Sequence, residues 1–224
     1  MQVELPLFGI GLDAMDLRFR LLLLTLVGLI AVAVWTFPSW RVYFRQRGEN
    51  DAFPGLDIDL QDEFLALPRA KREALLDLRE RSPNMALDMV LVNIAEDKLA
   101  PRDDSAEAIK AARALVSGEF QELNALYWGA GRATVYELPD GRRILRFEDF
   151  ISAPGSNTRV YLARDPQPLS ALQLEGASLD LGRLKGNVGD QNYFLPDDHD
   201  LSVYQSAVVF CVRFNTTITV ARLR

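Results

Sequence analysis

The sequence predicts an α+β protein: an N-terminal transmembrane helix, a short helical segment and a C-terminal antiparallel β-sandwich-like domain. Three observations lead to this prediction. Residues 21–37 are 17 residues without a charge, much of 68–117 has apolar residues at helical spacing, and 118–224 contains short alternating runs between turn residues. We therefore divide the chain into an N-terminal tail with one transmembrane helix (1–47), a linker and membrane-proximal helical segment (48–117), and a β domain (118–224).

Composition excludes several classes of function. The 224 residues carry 31 acids against 25 Lys and Arg, and the imbalance grows to a net charge of −8 once residues 1–47 are removed. Such an acidic body lacks the clustered bases that nucleic-acid binding requires, so no nucleic-acid partner is expected. One cysteine and one histidine exclude an intramolecular disulfide, multi-cysteine metal or iron–sulfur sites, and sites built on several imidazoles.

The uncharged run predicts a membrane-spanning helix at about residues 21–40, which makes the lipid bilayer a partner. Its 17 residues cover roughly 26 Å, slightly less than a bilayer core of about 30 Å. Flanking side chains at the two interfaces make up the difference: Arg18, Arg20, Trp35, Trp40 and Tyr43. A signal-peptide cleavage site at Ala31–Ala33 is one alternative, although the preceding region is long and partly acidic. A buried soluble helix would need a polar face that this run lacks.

The charges beside this run do not orient it in the membrane. Two arginines and the α-amine precede it, and three arginines follow at positions 41, 45 and 47. The positive-inside rule therefore gives nearly a tie.

Residues 48–117 are predicted to be a linker followed by three helices. The first covers Pro68–Arg81, and the second opens at Ser82–Pro83, an N-cap followed by proline at the first helical position. The third is expected to begin at Asp103–Ser105 and end at Gly118, with Leu115 and Val116 facing inward. Their apolar stripes are expected to pack against each other or against the next domain rather than on a membrane.

Beyond Gly118 the pattern changes to strands. Arg132–Leu138 and Arg142–Glu148 flank Pro139–Gly141, where proline fixes φ and glycine accepts positive φ, so they predict a hairpin that ends at Glu148–Phe150. Further strands are expected with no helix between them: Arg159–Ala163, Leu172–Leu174, Ser178–Leu181, Tyr193–Leu195, Val203–Phe214 and Thr217–Leu223. Short strands with frequent turns indicate an antiparallel sandwich or barrel.

The single cysteine lies in the longest of these predicted strands. Alternation places Val208, Phe210, Val212 and Phe214 on one face, and Val209, Cys211 and Arg213 on the other. A neighbouring cation lowers a thiol pKa, but Arg213 lies about 7 Å along the strand and would help only modestly. Cys211 is therefore the candidate redox thiol, with a buried, inert cysteine as the alternative. Whether the protein is an enzyme stays open.

A Gly- and Asn-rich turn, Leu184–Tyr193, is the second candidate site. Its side chains could face a ligand, or its glycines and Asx residues could simply form a tight turn: Asn187, Asp190, Asn192 and Tyr193. The following Pro196–Asp200 run reads as a solvated loop rather than a cation site, so no metal is predicted. His199 has no serine nucleophile in a recognisable motif, which leaves a hydrolase without support. Asn215–Thr217 is a glycosylation sequon, relevant only in a host that glycosylates exported proteins.

Several of these residues occur together in an order typical of one family. The segments are Gly118-x-Phe120, Gly131-x-Ala133-x-Val135, Leu145-x-Phe147-x-Asp149-Phe150, Val160–Leu162, Leu184–Tyr193 and Phe210–Cys211-x-x-Phe214. They resemble the DM-thirteen domain family over about residues 118–223. The Leu184–Tyr193 turn followed by one cysteine is the most specific part.

The resemblance implies a β-sandwich-like extracytoplasmic domain, often associated with DOMON domains, that takes part in electron transfer with a redox partner protein. Its characteristic cysteine, matched by Cys211, is implied to be a free thiol or to help bind a prosthetic group such as haem. The chain departs from the family at Leu126–Trp128, where many members carry a histidine. A haem ligand is thus missing there.

Two hypotheses follow. The first is a membrane-anchored extracytoplasmic domain with an electron-transfer or thiol-redox role centred on Cys211. The second is a non-catalytic ligand-binding or assembly module, in which Leu184–Tyr193 shapes a surface and Cys211 is structural.

Overall fold

The computed structural model describes Arg18 and residues 21–32, 52–101 and 109–224. The chain divides into two compact units, Met1–Asn50 and Asp51–Arg224.

In the first unit, residues 21–32 are helical and expose their apolar side chains. The Thr25 hydroxyl donates to the Leu21 carbonyl at 2.8 Å, so this polar group is satisfied inside the helix. Within the part of the chain that the structure describes, no helix is both long and apolar enough to cross a membrane. Residues 33–40 of the expected span lie outside the described residues, so the transmembrane helix stays a prediction.

The second unit begins with three helices: α1 Gln61–Ala66, α2 Arg69–Arg81 and α3 Pro83–Ile94. Helices α2 and α3 confirm the first two predicted helices, and proline stands at the start of α3 as expected. Leu75 of α2 and Ala86 and Val90 of α3 are buried in the same core as the strand residues that follow. The apolar stripes therefore pack against the β domain, as predicted.

The third predicted helix is wrong over its C-terminal half. Arg113–Glu119 forms strand β1, which pairs antiparallel with β2, Gly129–Glu137. The apolar residues of so short a segment fit both the helical period of about 3.6 and the strand period of about 2. Pairing with β2 therefore decides that the segment forms a strand. Leu115 is exposed and Val116 is half-buried, because β1 lies at the edge of its sheet. The expected start at Asp103 lies outside the described residues.

Two four-stranded antiparallel sheets follow, and the α+β class is confirmed. The first has the order β1–β2–β3–β6, where β3 is Arg143–Ser152 and β6 is Gln191–Leu195. The second has the order β5–β4–β7–β8; its strands are β4 Thr158–Ala163, β5 Ser178–Arg183, β7 Ser206–Cys211 and β8 Thr216–Arg222. Edges β1 and β8 meet where Ser117 and Arg224 exchange backbone hydrogen bonds of 3.2 and 2.9 Å.

The predicted hairpin is confirmed, and β3 is longer than expected. Gly141 has φ +84° in the turn, as its position required. Strand β3 continues past Glu148–Phe150 to Ser152, because a bulge opposite Gly131 absorbs the extra residue. Asp149 adopts φ +50° at this bulge.

Two other predicted strands are corrected. Leu172–Leu174 belongs to a short helix, α4 Ala171–Leu174, and the Gln173 side chain accepts from the Leu169 amide at 2.9 Å to hold its first turn. The long strand Val203–Phe214 shortens to β7, because a 3-10 turn occupies Leu201–Val203 and the chain turns again after Cys211. A helix therefore does interrupt the strands.

An aromatic cluster fills the core between the sheets. The ring of Phe147 lies 4.7 Å from that of Phe120, 4.9 Å from that of Phe150 and 5.5 Å from that of Tyr193. Phe147 is 0% exposed. This cluster ties β3 to β6 and to the chain that leaves β1.

Candidate functional site: the buried thiol and the Leu184–Tyr193 turn

Cys211 ends strand β7 and is 0% exposed. Neither face of β7 reaches solvent. Val209 and Cys211 lie in the main core, and Val208 and Phe210 lie in a second apolar cluster with Leu174. The alternation inferred from the sequence is therefore correct for Val208–Cys211, but both faces are buried. It is wrong beyond Cys211, where the chain turns and Phe214 lies in the main core with Cys211.

The thiol of Cys211 is held in its protonated form. Its Sγ donates to the Ser156 carbonyl at 2.9 Å. Burial raises the pKa of Cys211, and the backbone of Phe214 and Arg213 and the Arg213 charge oppose this only in part. A neutral buried thiol is a poor nucleophile unless its surroundings open.

The placement of Arg213 on the strand face of Cys211 is wrong, because β7 ends at Cys211. Arg213 instead reaches helix α3, where its Nε donates to Asp88 Oδ2 at 3.1 Å and its Nη2 donates to the same oxygen. The positive charge of Arg213 is therefore paired with Asp88, which lies 125 residues away in the sequence.

Helices α2 and α3 lie against Leu126–Trp128, the position where the family resemblance led us to note a missing histidine. The Tyr127 hydroxyl donates to Met89 Sδ at 3.9 Å, and Lys71 Nζ lies 5.9 Å from the Trp128 ring centroid. Burial raises the pKa of the Tyr127 phenol, and the neighbouring Cys211 adds to the shift. The helical region thus covers the end of the β domain that contains the thiol.

The Leu184–Tyr193 turn is organised around Gln191, which is almost fully buried. Gln191 Oε1 accepts from the Tyr193 hydroxyl at 2.7 Å and from the Lys185 amide at 3.1 Å, and Nε2 donates to the Gly186 carbonyl at 2.9 Å. Burial raises the pKa of Tyr193 far above its usual range. Tyr193 therefore serves the core and this internal network.

Asn187 binds a segment of the chain that precedes the β domain. Its Oδ1 accepts from the Lys98 amide at 2.6 Å, and its Nδ2 donates to Asp97 Oδ1 at 2.7 Å. The Ala100 amide donates to the Val188 carbonyl at 2.7 Å, and Leu99 and Val188 form a parallel bridge. We call Asp97–Ala100 the docking segment.

Asp190 and Asn192 bind Arg146 on the outer side of the first sheet. Arg146 donates to Asp190 Oδ2 at 2.6 Å and to Asn192 Oδ1 at 3.1 Å, and Asp190 Oδ1 accepts from the Asp149 amide at 2.9 Å. Asp190 also lines a cleft of about 600 Å³ together with Glu119, Phe120, Ala130, Gly131, Arg132, Glu148 and Asp149. The four predicted ligand-binding residues thus face three different surroundings, and their ligand-binding role stays a prediction.

The Pro196–Asp200 loop is held by one arginine. Arg143 Nη2 donates to the carbonyls of Pro196, Asp197 and His199 at 3.1, 2.9 and 3.1 Å. Over the described ranges, no group of three His, Cys, Asp or Glu side chains is arranged to hold a metal ion.

Several residues at the site were missed by sequence reasoning, among them Arg146 and Gln191, which bind the predicted residues of the turn. Ser156 contributes a backbone carbonyl, which carries no side-chain signal. Asp88 and Asp97 lie outside the resemblance and reach the site only through tertiary contacts.

Comparison with known proteins confirms the family resemblance. A family model described as Electron transfer DM13 matches residues 119–223. The match contains Cys211 and the Leu184–Tyr193 turn, and it leaves out α1–α3 and the docking segment. No curated protein and no solved structure matches the chain.

Proposed function

Because residues 119–223 match the family model described as Electron transfer DM13, we propose that this domain transfers electrons with Cys211 as its redox group. The family match is the observation that carries the proposal. Cys211 is the single thiol of the chain and lies inside the matched region.

The electrons would pass by thiol–disulfide exchange with a redox partner that carries a disulfide. The Cys211 thiolate attacks one sulfur of that disulfide, the second sulfur leaves as a thiolate, and it takes up the proton that Cys211 released. The partner's leaving sulfur is reduced, and Cys211 is oxidised into a mixed disulfide. Since the sequence has no second cysteine, a further thiol from outside the chain must resolve this product.

Haem or another prosthetic group does not fit beside Cys211. Cys211 is fully buried, and its Sγ already donates a hydrogen bond to the Ser156 carbonyl. Even a single added carbon on neighbouring Gly155 would lie 2.5 Å from Ile218 Cδ1 and 2.9 Å from Thr158 Cγ2. No step of the proposed reaction therefore passes through a cofactor.

The exchange requires local opening around the thiol, since a partner sulfur cannot reach a side chain that is 0% exposed. We expect the folded full-length protein to form a mixed disulfide with a small aromatic disulfide, slowly and at Cys211 alone. Intact-protein mass measures the product, and Cys211→Ser serves as the control. A thiol that reacts only after urea has unfolded the protein would contradict the redox role.

A second candidate function is a non-catalytic assembly module with a structural cysteine. The specific observation in its favour is that the Leu184–Tyr193 turn already holds another part of the chain, through Asn187 and the docking segment. It predicts the opposite result: Cys211 resists the disulfide until unfolding, and Cys211→Ser keeps every partner interaction.

We further propose that residues 21–40 anchor the protein in a membrane as a single pass, with the β domain outside the cytoplasm. The exposed apolar side chains of residues 21–32 and the internally bonded Thr25 hydroxyl support this proposal.

The anchor is tested by comparing the full chain with a variant that lacks residues 1–47. We expect the full chain to sediment with membranes and the shortened chain to remain in the supernatant. Protease added outside cells whose cytoplasmic membrane is intact should cut the β domain. Sedimentation of both proteins with membranes would contradict the anchor. Protection of the β domain from the protease would contradict the proposed orientation.

A further inference from the structure

Two backbone segments enclose the sulfur of Cys211. Residues 153–157, the thiol loop, supply the Ser156 carbonyl that accepts from Sγ. Residues 212–215, the thiol turn, place the backbone of Arg213 and Phe214 against the sulfur. The Val212 amide donates to the Asn157 carbonyl at 3.2 Å and joins the two segments.

The thiol turn is attached to helix α3. Arg213 donates through two of its nitrogens to one oxygen of Asp88. Both side chains are partly exposed, so the pair resembles a surface ion pair and contributes modestly.

The thiol loop is attached to the docking segment through Asn187. The Ser152 amide, at the start of the loop, donates to the Asn187 carbonyl at 2.9 Å, and Asn187 Nδ2 reaches the Ser152 carbonyl at 3.4 Å. The same side chain binds Asp97 and Lys98. Asn187 and Ser152 are buried, whereas Asp97 and Lys98 are exposed. Loss of the Asn187 side chain therefore takes one partner from the buried Ser152 carbonyl and removes both side-chain hydrogen bonds to the docking segment.

We propose that residues 52–100 act as a two-point clamp on Cys211, with Asp88 and Asn187 as positioning residues at the two points of attachment. While both attachments hold, the thiol loop and the thiol turn stay closed over the sulfur and keep its bond to Ser156. Release of either attachment lets one segment move and exposes the thiol to a disulfide partner. This regulation rests on the proposed redox function. Residues 52–100, including Asp88, lie outside the residues that match the family model, whereas Asn187 lies inside them.

The test uses the full chain with Asp88→Asn, Asn187→Ala and both changes together. The matched control is Asp77→Asn, which removes the Arg81–Asp77 pair inside α2, an exposed ion pair of the same region. One readout is the rate of mixed-disulfide formation at Cys211 in the folded protein. The other is the infrared S–H stretching band, which a single-cysteine chain shows alone and which reports the bond to Ser156.

We expect the rate to rise about 2–5-fold for Asp88→Asn and about 10–100-fold for Asn187→Ala. The S–H band should move to higher frequency in both variants as the bond to Ser156 weakens, while Asp77→Asn leaves both readouts unchanged. If Asn187→Ala does not fold, Asn187→Asp replaces it: the carboxylate still accepts from Lys98 but repels Asp97, so the same direction of change is expected.

Separate outcomes distinguish the clamp from the redox role. A shifted S–H band in a protein that never forms the mixed disulfide supports the clamp and removes the redox function. Mixed-disulfide formation at equal rates in all variants, with an unchanged band, keeps the redox function and overturns the clamp.

Discussion

Replacement of Phe147 by alanine is expected to lower the free energy of unfolding by about 3–5 kcal/mol. Phe147 is 0% exposed and stands in the middle of β3, in contact with the rings of Phe120, Phe150 and Tyr193. Its removal leaves a cavity that the flanking strands cannot close, because β2 and β6 hold β3 on both sides. The edge-to-face contact with Phe120 is lost in addition.

Urea unfolding followed by circular dichroism measures this loss, and Phe194→Ala is its matched control. Phe194 lies on the neighbouring strand β6, but it is 62% exposed, and Arg142 Cζ lies 5.2 Å from its ring centroid. We expect the control to cost less than about 1 kcal/mol. Similar losses for the two variants would show that the core does not centre on Phe147.

Local sequence signals predicted the elements whose geometry is decided locally. The Pro139–Gly141 hairpin is an example, since its turn requires a positive φ that glycine supplies within the same few residues. Arg113–Glu119 and Ala171–Leu174 were assigned to the wrong type. Each is a short segment whose few apolar residues fit both the helical and the strand period. For Arg113–Glu119, pairing with the distant strand β2 decides the conformation.

The candidate residues can be chosen from the sequence, but the groups that surround them cannot. Cys211 and the Leu184–Tyr193 turn stand out in the sequence, yet the partners that set their chemistry are remote. Ser156 lies 55 residues from Cys211, and Asp97 lies 90 residues from Asn187. Burial of the thiol therefore depends on tertiary packing that no local pattern encodes.

Replacement of Gly186 by alanine is expected to release the docking segment. A Cβ at this position would lie 2.3 Å from the Ala100 nitrogen and 2.5 Å from the Lys98 carbonyl oxygen. Both are backbone atoms, so the segment must move away, and its hydrogen bonds with Asn187 and Val188 are lost together. We expect the free energy of unfolding to fall by about 2–4 kcal/mol.

Amide hydrogen exchange at Ala100 and trypsin cleavage after Lys98 report the release directly. Gly182→Ala is the control, because Gly182 has φ +103° but nothing within 4 Å of an added Cβ. The free energy of unfolding of Gly182→Ala should fall by about 1–2 kcal/mol because of backbone strain. Its Ala100 amide should still exchange slowly, and trypsin should still not cut after Lys98. Gly186→Ala should accelerate amide exchange at Ala100 and trypsin cleavage after Lys98, even if its free energy of unfolding equals that of Gly182→Ala. Slow exchange of the Ala100 amide in Gly186→Ala would contradict this prediction. It would mean that the Leu184–Tyr193 turn moves to make room for the added Cβ and that the docking segment stays in place.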